Sequence, residues 1–224
     1  MIKIEHVVLA SPEQMSFIIQ GLRNPMNSHD RSDSEMLYGD PYCAPEDFKV
    51  GNNDRYLMQR LAAAGTDHRK FMRMMTVYVR ITAPLYWWKE FDTYKVGTVS
   101  NSCSTMHKIH EKEFTLEDFS CEHLINSPLI ESEPGSQELL NMQAKNTLEI
   151  IIGVLNAARD NYLKTKDKKY WWQMIQLLPS SYNQTRNVMM NYEVLVNIYW
   201  SRKDSKLDEW REFCKWIESL PLCD

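Results

Sequence analysis

Residues 83–107 read APLYWWKEFDTYKVGTVSNSCSTMH and place the densest aromatic segment of the chain directly before its richest hydroxyl and thiol segment. Ala83-Pro84 is typical of a helix start, because proline fits the first turn of a helix. The residues that follow predict an aromatic helix, and the run at 98–105 predicts a polar loop. A core helix needs no such loop beside it, so the two segments together require a functional explanation.

Composition and charge limit the classes of protein to which this chain can belong. The 224-residue chain is 43% hydrophobic and 25% charged, as an ordinary globular protein is. Its formal net charge of -4 gives no general reason to expect binding to nucleic acid or to a membrane. No segment reaches the roughly 18 apolar residues of a membrane span, and the first residues lack a signal-peptide pattern. The five cysteines include no C-x-x-C pair, which predicts reduced thiols in a cytoplasmic protein.

The first half of the chain predicts an α+β order. Alternation over residues 2–8 predicts a short strand, and Ser11-Pro12-Glu13-Gln14 predicts a helix start with a reciprocal capping box. Residues 23–51 are polar and contain three prolines, so they predict a long loop of the kind that is usually functional or mobile. A helix over residues 55–64, ended by glycine, and a strand over residues 72–81 complete this half.

The second half, after about residue 115, is expected to be helical throughout. Ser136 is a candidate cap for a long helix whose apolar face runs from Leu140 to Tyr162. A stripe at spacings of three and four predicts a second helix that starts near Val188. Ser205 and Asp208 fit a capping box for the last helix. We therefore expect one domain over residues 1–224, with an α/β part at 1–115 and a helical part at 116–224.

Three stretches, taken in order, resemble the flavin-dependent thymidylate synthases, the ThyX family. They are LMQRLAAAGTDHRKF at 57–71, APLYWWKEFDTYKVGTVSNSCSTM at 83–106 and LLPSSYNQTRNVMMNYEVLVNIYWSRKDS at 177–205. That family has a helix ending in Gly-His, a strand entering Ala-Pro, an aromatic helix, the signature R-H-R followed by seven residues and Ser, and a late Leu-Pro before a helix that carries Asn and Arg. The resemblance implies a ThyX-like fold, with a small and mostly antiparallel sheet and a helical C-terminal half.

The family signature is altered in this chain. Lys89-Glu90 stand where the family has Arg-Gln, and Thr93-Tyr94-Lys95 stand in place of R-H-R. Cys103 follows after seven residues in place of the serine, a slip of one residue puts Ser104 there instead, and Thr105 replaces the next arginine. The resemblance implies that Lys89, Glu90, Cys103, Ser104 and Thr105 meet the nucleotide substrate, with Cys103 or Ser104 as the catalytic candidate.

The downstream part of the match agrees better. Counted from Leu178-Pro179, Asn191, Asn197 and Arg202 match the family's Asn, Asn and Arg, while Glu193 replaces an arginine. His68 pairs with the Gly-His histidine, although it lies three residues after Gly65 rather than one. The resemblance implies that Arg202 meets the substrate. It also implies a set of contacts to FAD: His68, Tyr94, Lys95, Asn101, Asn191 and Asn197.

The lost arginines decide how the resemblance is interpreted. Compared with the family, this chain lacks three arginine cations and gains one anion, because it has Thr93, Thr105 and Glu193 at those positions. A contact between a charged group and a phosphate contributes about 1.5–3 kcal/mol, so losing several would abolish ordinary binding unless other groups replace them. Lys89, Lys95 and Arg202 are the visible replacements, and the hydroxyls of residues 98–105 are further donors. In this interpretation the aromatic helix forms a wall of the nucleotide or flavin site; otherwise Trp87 and Trp88 pack against the strand.

The sequence gives little support for other catalytic sites. His107 and His110 fit one side of a helix but lack a third ligand, so no metal site is predicted. Cys103 acts as a nucleophile only if Lys95 or His107 lowers its pKa; otherwise it is an idle thiol. In the family, flavin hydride chemistry carries the methylation, so the lost serine alone does not exclude catalysis.

Two functional classes remain. The first is a flavin enzyme that methylates dUMP or a related nucleotide, with FAD as cofactor and with NADPH and methylenetetrahydrofolate as co-substrates. The second is a protein that keeps the fold and holds or sequesters a nucleotide without chemistry. In both classes the resemblance implies a homotetramer, and neither nucleic acid nor a membrane is an expected partner.

Overall fold

The computed structural model describes residues 2–40, 43–127 and 143–223 and shows an α+β fold. The strands are β1 (Lys3–Val8), β2 (Glu35–Leu37), β3 (Asp47–Lys49), β4 (Thr76–Pro84), β5 (Val99–Ser102) and β6 (Asn183–Asn191). The helices are α1 (Pro12–Arg23), α2 (Asn52–Ala63), α3 (Lys70–Met74), α4 (Leu85–Phe91), α5 (Ala144–Thr165), α6 (Lys168–Leu177), α7 (Tyr192–Arg202) and α8 (Asp208–Glu218). The expected fold class is confirmed. Across these residues no helix is long and apolar enough to cross a membrane.

Four strands form one sheet in the order β1-β4-β6-β5, while β2 and β3 form a separate antiparallel ribbon. In β4, Val77, Val79 and Ile81 are buried, and Tyr78 between them is half exposed. β-Branched residues at alternate positions are typical of a strand that buries one face. The chain also divides into two compact units, one of Met1–Lys3, Thr82–Asp92 and Ser102–Arg186 and one of Ile4–Ile81, Thr93–Asn101 and Asn187–Asp224. The expected boundary near residue 115 stays a prediction.

In the first unit, α5 and α6 pack around a core that contains Leu155 and Met174, both fully buried. α5 ends at Lys166, which adopts a left-handed backbone conformation with φ 57°. Asp167 then caps α6 by accepting a hydrogen bond from the backbone N–H of Lys169 at 2.9 Å. A cap that satisfies an unpaired N–H group explains why the two helices are joined by so short a turn. The predicted cap Ser136 and the predicted core residue Leu140 lie outside the described residues.

In the second unit, α7 and α8 lie against each other, and each contributes fully buried residues: Leu195 and Ile198 from α7, and Trp210 and Phe213 from α8. At the start of α1, Ser11 Oγ accepts from the backbone of Gln14 at 3.3 Å, and the Gln14 side chain accepts from the backbone of Ser11 at 2.9 Å. The predicted capping box is therefore confirmed.

The segment at 23–51 is more ordered than the predicted loop, because it contains β2 and β3 and is fixed by one buried carboxylate. Asp54 accepts hydrogen bonds from Arg23 Nε at 2.7 Å, Ser32 Oγ at 2.7 Å and Ser34 Oγ at 2.6 Å. Burial raises the pKa of Asp54, but the hydrogen bonds from Ser34, Ser32 and Arg23 outweigh it and leave the pKa below its ordinary value. The polar residues that suggested a solvated loop thus bind a buried partner.

Two further boundaries differ from prediction. Residues 70–74 form α3 and the strand begins at Thr76, because Phe71 and Met72 are buried on a helical turn. Residues 98–105 are not all loop, since β5 occupies Val99–Ser102 at the sheet edge. An edge strand with exposed side chains carries no apolar alternation, so its sequence resembles a loop.

The segment after residue 115 is not entirely helical, because residues 183–191 form β6 and α7 starts only at Tyr192. The strand was not predicted, because its sequence NQTRNVMMN is largely polar. Val188 also fits the helical spacing of α7 by coincidence. The last capping box is also wrong: α8 is capped at Leu207, and Ser205 Oγ accepts from the Leu207 backbone at 3.3 Å.

Candidate functional site

The aromatic helix α4 buries its rings and exposes its charges. The helix starts after Ala83-Pro84, as predicted, although Pro84 is the N-cap rather than a residue of the first turn. Trp87, Trp88 and Phe91 are at most 1% exposed. Trp88 Nε1 donates to the backbone oxygen of Gln184 at 2.9 Å, which fixes this indole inside the unit. The tryptophans therefore contribute core packing, and the accessible side chains of α4 include polar ones. Of these, Lys89 is exposed and Glu90 is half-buried.

Arg186 on β6 links the end of α4 to the strand. Its guanidinium lies 4.2 Å from the ring centroid of Trp88, Nη1 donates to Asp92 at 2.6 Å, and Nε donates to the Gln184 side chain at 2.9 Å. A stacked arginine with two directed hydrogen bonds is held in one orientation. Arg186 was not among the predicted site residues, because it lies in a segment predicted to be helical; its only sequence signal is a lone arginine after Leu178-Pro179.

Cys103 is fixed by its backbone rather than by its side chain. Its N–H donates to the Thr185 oxygen at 3.0 Å, and its oxygen accepts from Gln184 Nε2 at 2.8 Å. The thiol is exposed. Ser104 is exposed too, and its Oγ accepts from the backbone of His107 at 2.9 Å, while Thr105 is half-buried. The first unit thus positions Cys103 through Gln184, which Arg186 holds in turn.

In the second unit the structure brings Tyr94 and Arg202 together. Arg202 Nε donates to the Tyr94 hydroxyl at 2.9 Å. The guanidinium also lies 4.8 Å from the ring centroid of Trp210 and 5.7 Å from that of Tyr94. Because Trp210 is fully buried, this contact anchors the arginine to the core. Lys95, the next residue after Tyr94, is exposed.

Asn191 has a structural role that accounts for it without a ligand. Its Oδ1 caps α7 by accepting from the Val194 backbone at 3.0 Å, and the residue is 7% exposed. Gly97 approaches it closely, because a Cβ at Gly97 would lie 2.7 Å from Asn191 Nδ2. Gly97 also has φ +78°, a conformation that glycine adopts without strain. Asn191 therefore sets the turn after Tyr94, whereas Asn197 is exposed on α7.

His68 and Asn101 line two separate cavities of the second unit. His68 is exposed at a cavity of about 860 Å³ that is also lined by His29, Asp67 and Lys70. Asn101 lines a cavity of about 340 Å³ on the open face of the sheet, together with Tyr78 and Arg80. Both volumes are in the range of small-molecule sites, roughly 300–1,000 Å³. The six predicted cofactor residues are therefore not all brought to one cavity.

The anion introduced at Glu193 has a partner. Its carboxylate lies 3.5 Å from Arg73 Nη1, and its side chain is only 13% exposed. An ion pair of this kind offsets part of the negative charge of Glu193.

His107 and His110 lie in turns rather than on a helix, which corrects the helical placement. The ring of His110 contacts Tyr162, with centroids 4.9 Å apart. Among the described residues, no group of three His, Cys, Asp or Glu side chains is arranged to hold a metal ion.

Solved structures similar to this chain are flavin-dependent thymidylate synthases and a nucleotide methylase, which identifies the fold as ThyX-like. One is thymidylate synthase X (ThyX) from Helicobacter pylori with FAD and dUMP, at 16% sequence identity and a TM-score of 0.61 over 98% of this chain and 92% of that chain. Another is the UMP/dUMP methylase PolB from Streptomyces cacaoi bound with 5-Br UMP, at 12% identity and a TM-score of 0.60 over 100% and 92%. No protein-family profile and no curated protein sequence matches the chain. At these identities the likeness establishes the fold alone.

Proposed function

We propose that this protein binds a dUMP-like pyrimidine nucleotide and FAD, as a ThyX-like protein with an altered active site. The observation that carries the proposal is the position of Arg202, whose guanidinium is bonded to Tyr94 and held over the buried Trp210. A planar guanidinium held in one orientation suits recognition of a uracil edge or a phosphate. The similar structures support the ligand class, since one contains FAD and dUMP and another 5-Br UMP.

The residues around His68 fit the phosphates of FAD. His29, His68 and Lys70 line the same cavity of about 860 Å³ and are donors that a pyrophosphate requires. They would hold the cofactor there, and FAD when bound supplies hydride chemistry. The role of this chain is then to bind and orient, with Lys70 providing a fixed positive charge. The remaining assignments stay predictions carried by the family resemblance: Tyr94, Lys95, Asn101, Asn191 and Asn197 to the cofactor, and Lys89, Glu90, Cys103, Ser104 and Thr105 to the substrate.

A second candidate function is nucleotide binding without turnover. Thr93 and Thr105 stand where the family has arginines, and Arg186 is already engaged by Asp92. Electrostatic preorganisation is usually the largest catalytic contribution, so the loss of cations lowers turnover more than binding. On this candidate, NADPH and methylenetetrahydrofolate have no role. The homotetramer implied by the resemblance and the cytoplasmic location predicted from the cysteines are part of the proposal in both cases.

The test combines colour, binding and turnover. Purified protein that carries flavin absorbs at about 450 nm. Calorimetry with dUMP, UMP and FAD measures binding, and tritium release from labelled dUMP, with FAD, NADPH and methylenetetrahydrofolate present, measures turnover. We expect nucleotide binding with little turnover. Arg202→Ala weakens this binding, whereas Arg211→Ala, a matched change at an exposed position of α8, leaves it unchanged.

Robust turnover would show that Lys89 and Lys95 replace the lost arginines and would remove the binding-only candidate. Absence of binding to all three ligands contradicts the proposed function as a whole.

A further inference from the structure

The second unit contains a separate cavity that includes no predicted nucleotide or cofactor residue. It has a volume of about 370 Å³ and lies against α2, α3 and α7. Its walls are mainly apolar and include Met58, Met72 and Phe71, while Val196 and Trp200 line it from α7. Flexible methionines beside aromatic rings adapt to an inserted apolar body.

The charged residues in the described lining of this cavity are Arg55 and Arg69, although the chain as a whole carries a net charge of -4. Arg69 Nε donates to the backbone oxygen of Ala62 at 2.6 Å, which fixes the plane of its guanidinium. Outside the lining, Lys203 Nζ lies 4.4 Å from the ring centroid of Trp200.

Trp200 is 66% exposed, which is unusual for a tryptophan. Tyr192 also lines the cavity, and its hydroxyl donates to the Pro221 oxygen at 2.8 Å. A neighbouring cavity of about 330 Å³ shares Arg55, Met75, Tyr192 and Leu222 with it and is also lined by the acidic residues Glu46 and Asp47. The described lining of the first cavity thus combines aromatic and thioether side chains with arginines as its charged groups.

We propose that this cavity is a second binding site, for a flat aromatic acid whose ring lies among Phe71, Tyr192 and Trp200 and whose anionic group meets Arg69. The charge of the lining selects an anion, and its apolar walls exclude a strongly hydrated ion such as free phosphate. A ligand with an aromatic ring and one acidic group meets both of these requirements.

The test uses two dyes that share a ring system and differ in charge. The anionic probe is 1-anilinonaphthalene-8-sulfonate, and the neutral probe is N-phenyl-1-naphthylamine. We expect one anionic probe per chain by fluorescence titration. Val196→Trp fills the cavity and lowers the affinity for both probes at least about tenfold, as a lost pocket should. Val154→Trp, the same change on a half-exposed face of α5, leaves both affinities unchanged.

Arg69→Gln separates charge from shape. It lowers the affinity for the anionic probe by about tenfold, the value expected for one charge-assisted contact, and leaves the neutral probe unaffected. The control Arg60→Gln, which lies on the same helix-rich surface, changes the affinity for neither probe. If Val196→Trp fails to fold by circular dichroism, Ala62→Leu narrows the cavity from α2 and replaces it in the test.

Three results overturn the proposal. Unchanged affinity in the cavity-filling variant places the probe elsewhere. Equal loss of both probes in Arg69→Gln shows an apolar void without anion selection. Displacement of the probe by dUMP shows that the cavity belongs to the nucleotide site. The nucleotide proposal itself is measured with dUMP and FAD, so the two can fail independently.

Discussion

The Nε–H of Arg202 donates a hydrogen bond to the hydroxyl of Tyr94 at 2.9 Å, although the two residues are 108 positions apart in the chain. The buried Trp210 lies against both, with its ring centroid 6.1 Å from that of Tyr94 and 4.8 Å from the guanidinium. Tyr94 and Trp210 therefore set the orientation of Arg202, the residue that carries the proposed nucleotide site.

Tyr94→Phe should weaken nucleotide binding without removing the ring under Arg202. The loss of one hydrogen bond predicts a decrease in affinity of about threefold to tenfold by calorimetry. Tyr199→Phe is the matched control, because the Tyr199 hydroxyl donates at 2.7 Å to Glu218 instead. Equal effects of the two changes would contradict a role for the Tyr94 hydroxyl in orienting Arg202.

Asp54→Asn should destabilise the protein by about 3–5 kcal/mol, because it leaves the buried Arg23 without its counter-charge. Urea denaturation at neutral pH measures this change. The surface substitution Asp160→Asn should cost little, since the Asp160 side chain is 56% exposed.

The pH dependence of the Asp54 effect has a definite sign. The pKa of Asp54 is lowered in the folded protein, so its stabilisation is fully present above the unfolded-state value and is lost as pH falls through the folded value. The free energies of unfolding of wild type and Asp54→Asn should therefore converge in acid, below the ordinary carboxyl range. A constant difference at all pH values would show that the charge of Asp54 is not the cause.

Arg186→Lys should destabilise the first unit by about 1–3 kcal/mol, because lysine keeps the charge but cannot stack on Trp88 and bond Asp92 and Gln184 together. Thermal unfolding followed by tryptophan fluorescence reports the change. The matched control is Arg80→Lys on the exposed face of β4, where the arginine donates a hydrogen bond to Asn187 at 3.2 Å. A control as destabilised as Arg186→Lys would refute the network.

The thiols should react in two groups. Cys43 and Cys103 are exposed, so iodoacetamide at pH 8 should alkylate them in the native protein. Burial, and then the nearby Glu218 and Asp204, raise the pKa of Cys214 to about 11, so its thiolate is scarce at pH 8. Mass spectrometry should find Cys214 modified only after unfolding in urea. Native modification of Cys214 at the rate of Cys103 would contradict its burial.

Cys103→Ser should change nucleotide binding little, because hydrogen bonds from its N–H and to its oxygen fix Cys103 through the backbone. Calorimetry with dUMP compares the variant with the wild type, and Arg202→Ala serves as the sensitive reference. A loss as large as that of Arg202→Ala would assign the thiol a direct contact.

The sequence by itself determined the features that rest on neighbouring residues. The capping box of Ser11 and Gln14, the helix that follows Pro84 and the α+β order are local patterns, since each is decided within a few positions of the chain. Where a local pattern was ambiguous, prediction failed. The polar strand β6 resembled a helix, because its hydrogen-bonded partners in the sheet are distant in sequence.

Only the tertiary structure decided how the candidate residues are used. In the folded protein Trp87 and Trp88 are buried core residues, and Arg186 contacts Asp92 and Trp88. Asn191 caps a helix, and Glu193 pairs with Arg73. Each of these outcomes depends on a partner whose position no local spacing specifies. Burial and charge pairing are properties of the folded protein. The residues that pack next to a side chain determine how much water reaches it and which charged groups it pairs with.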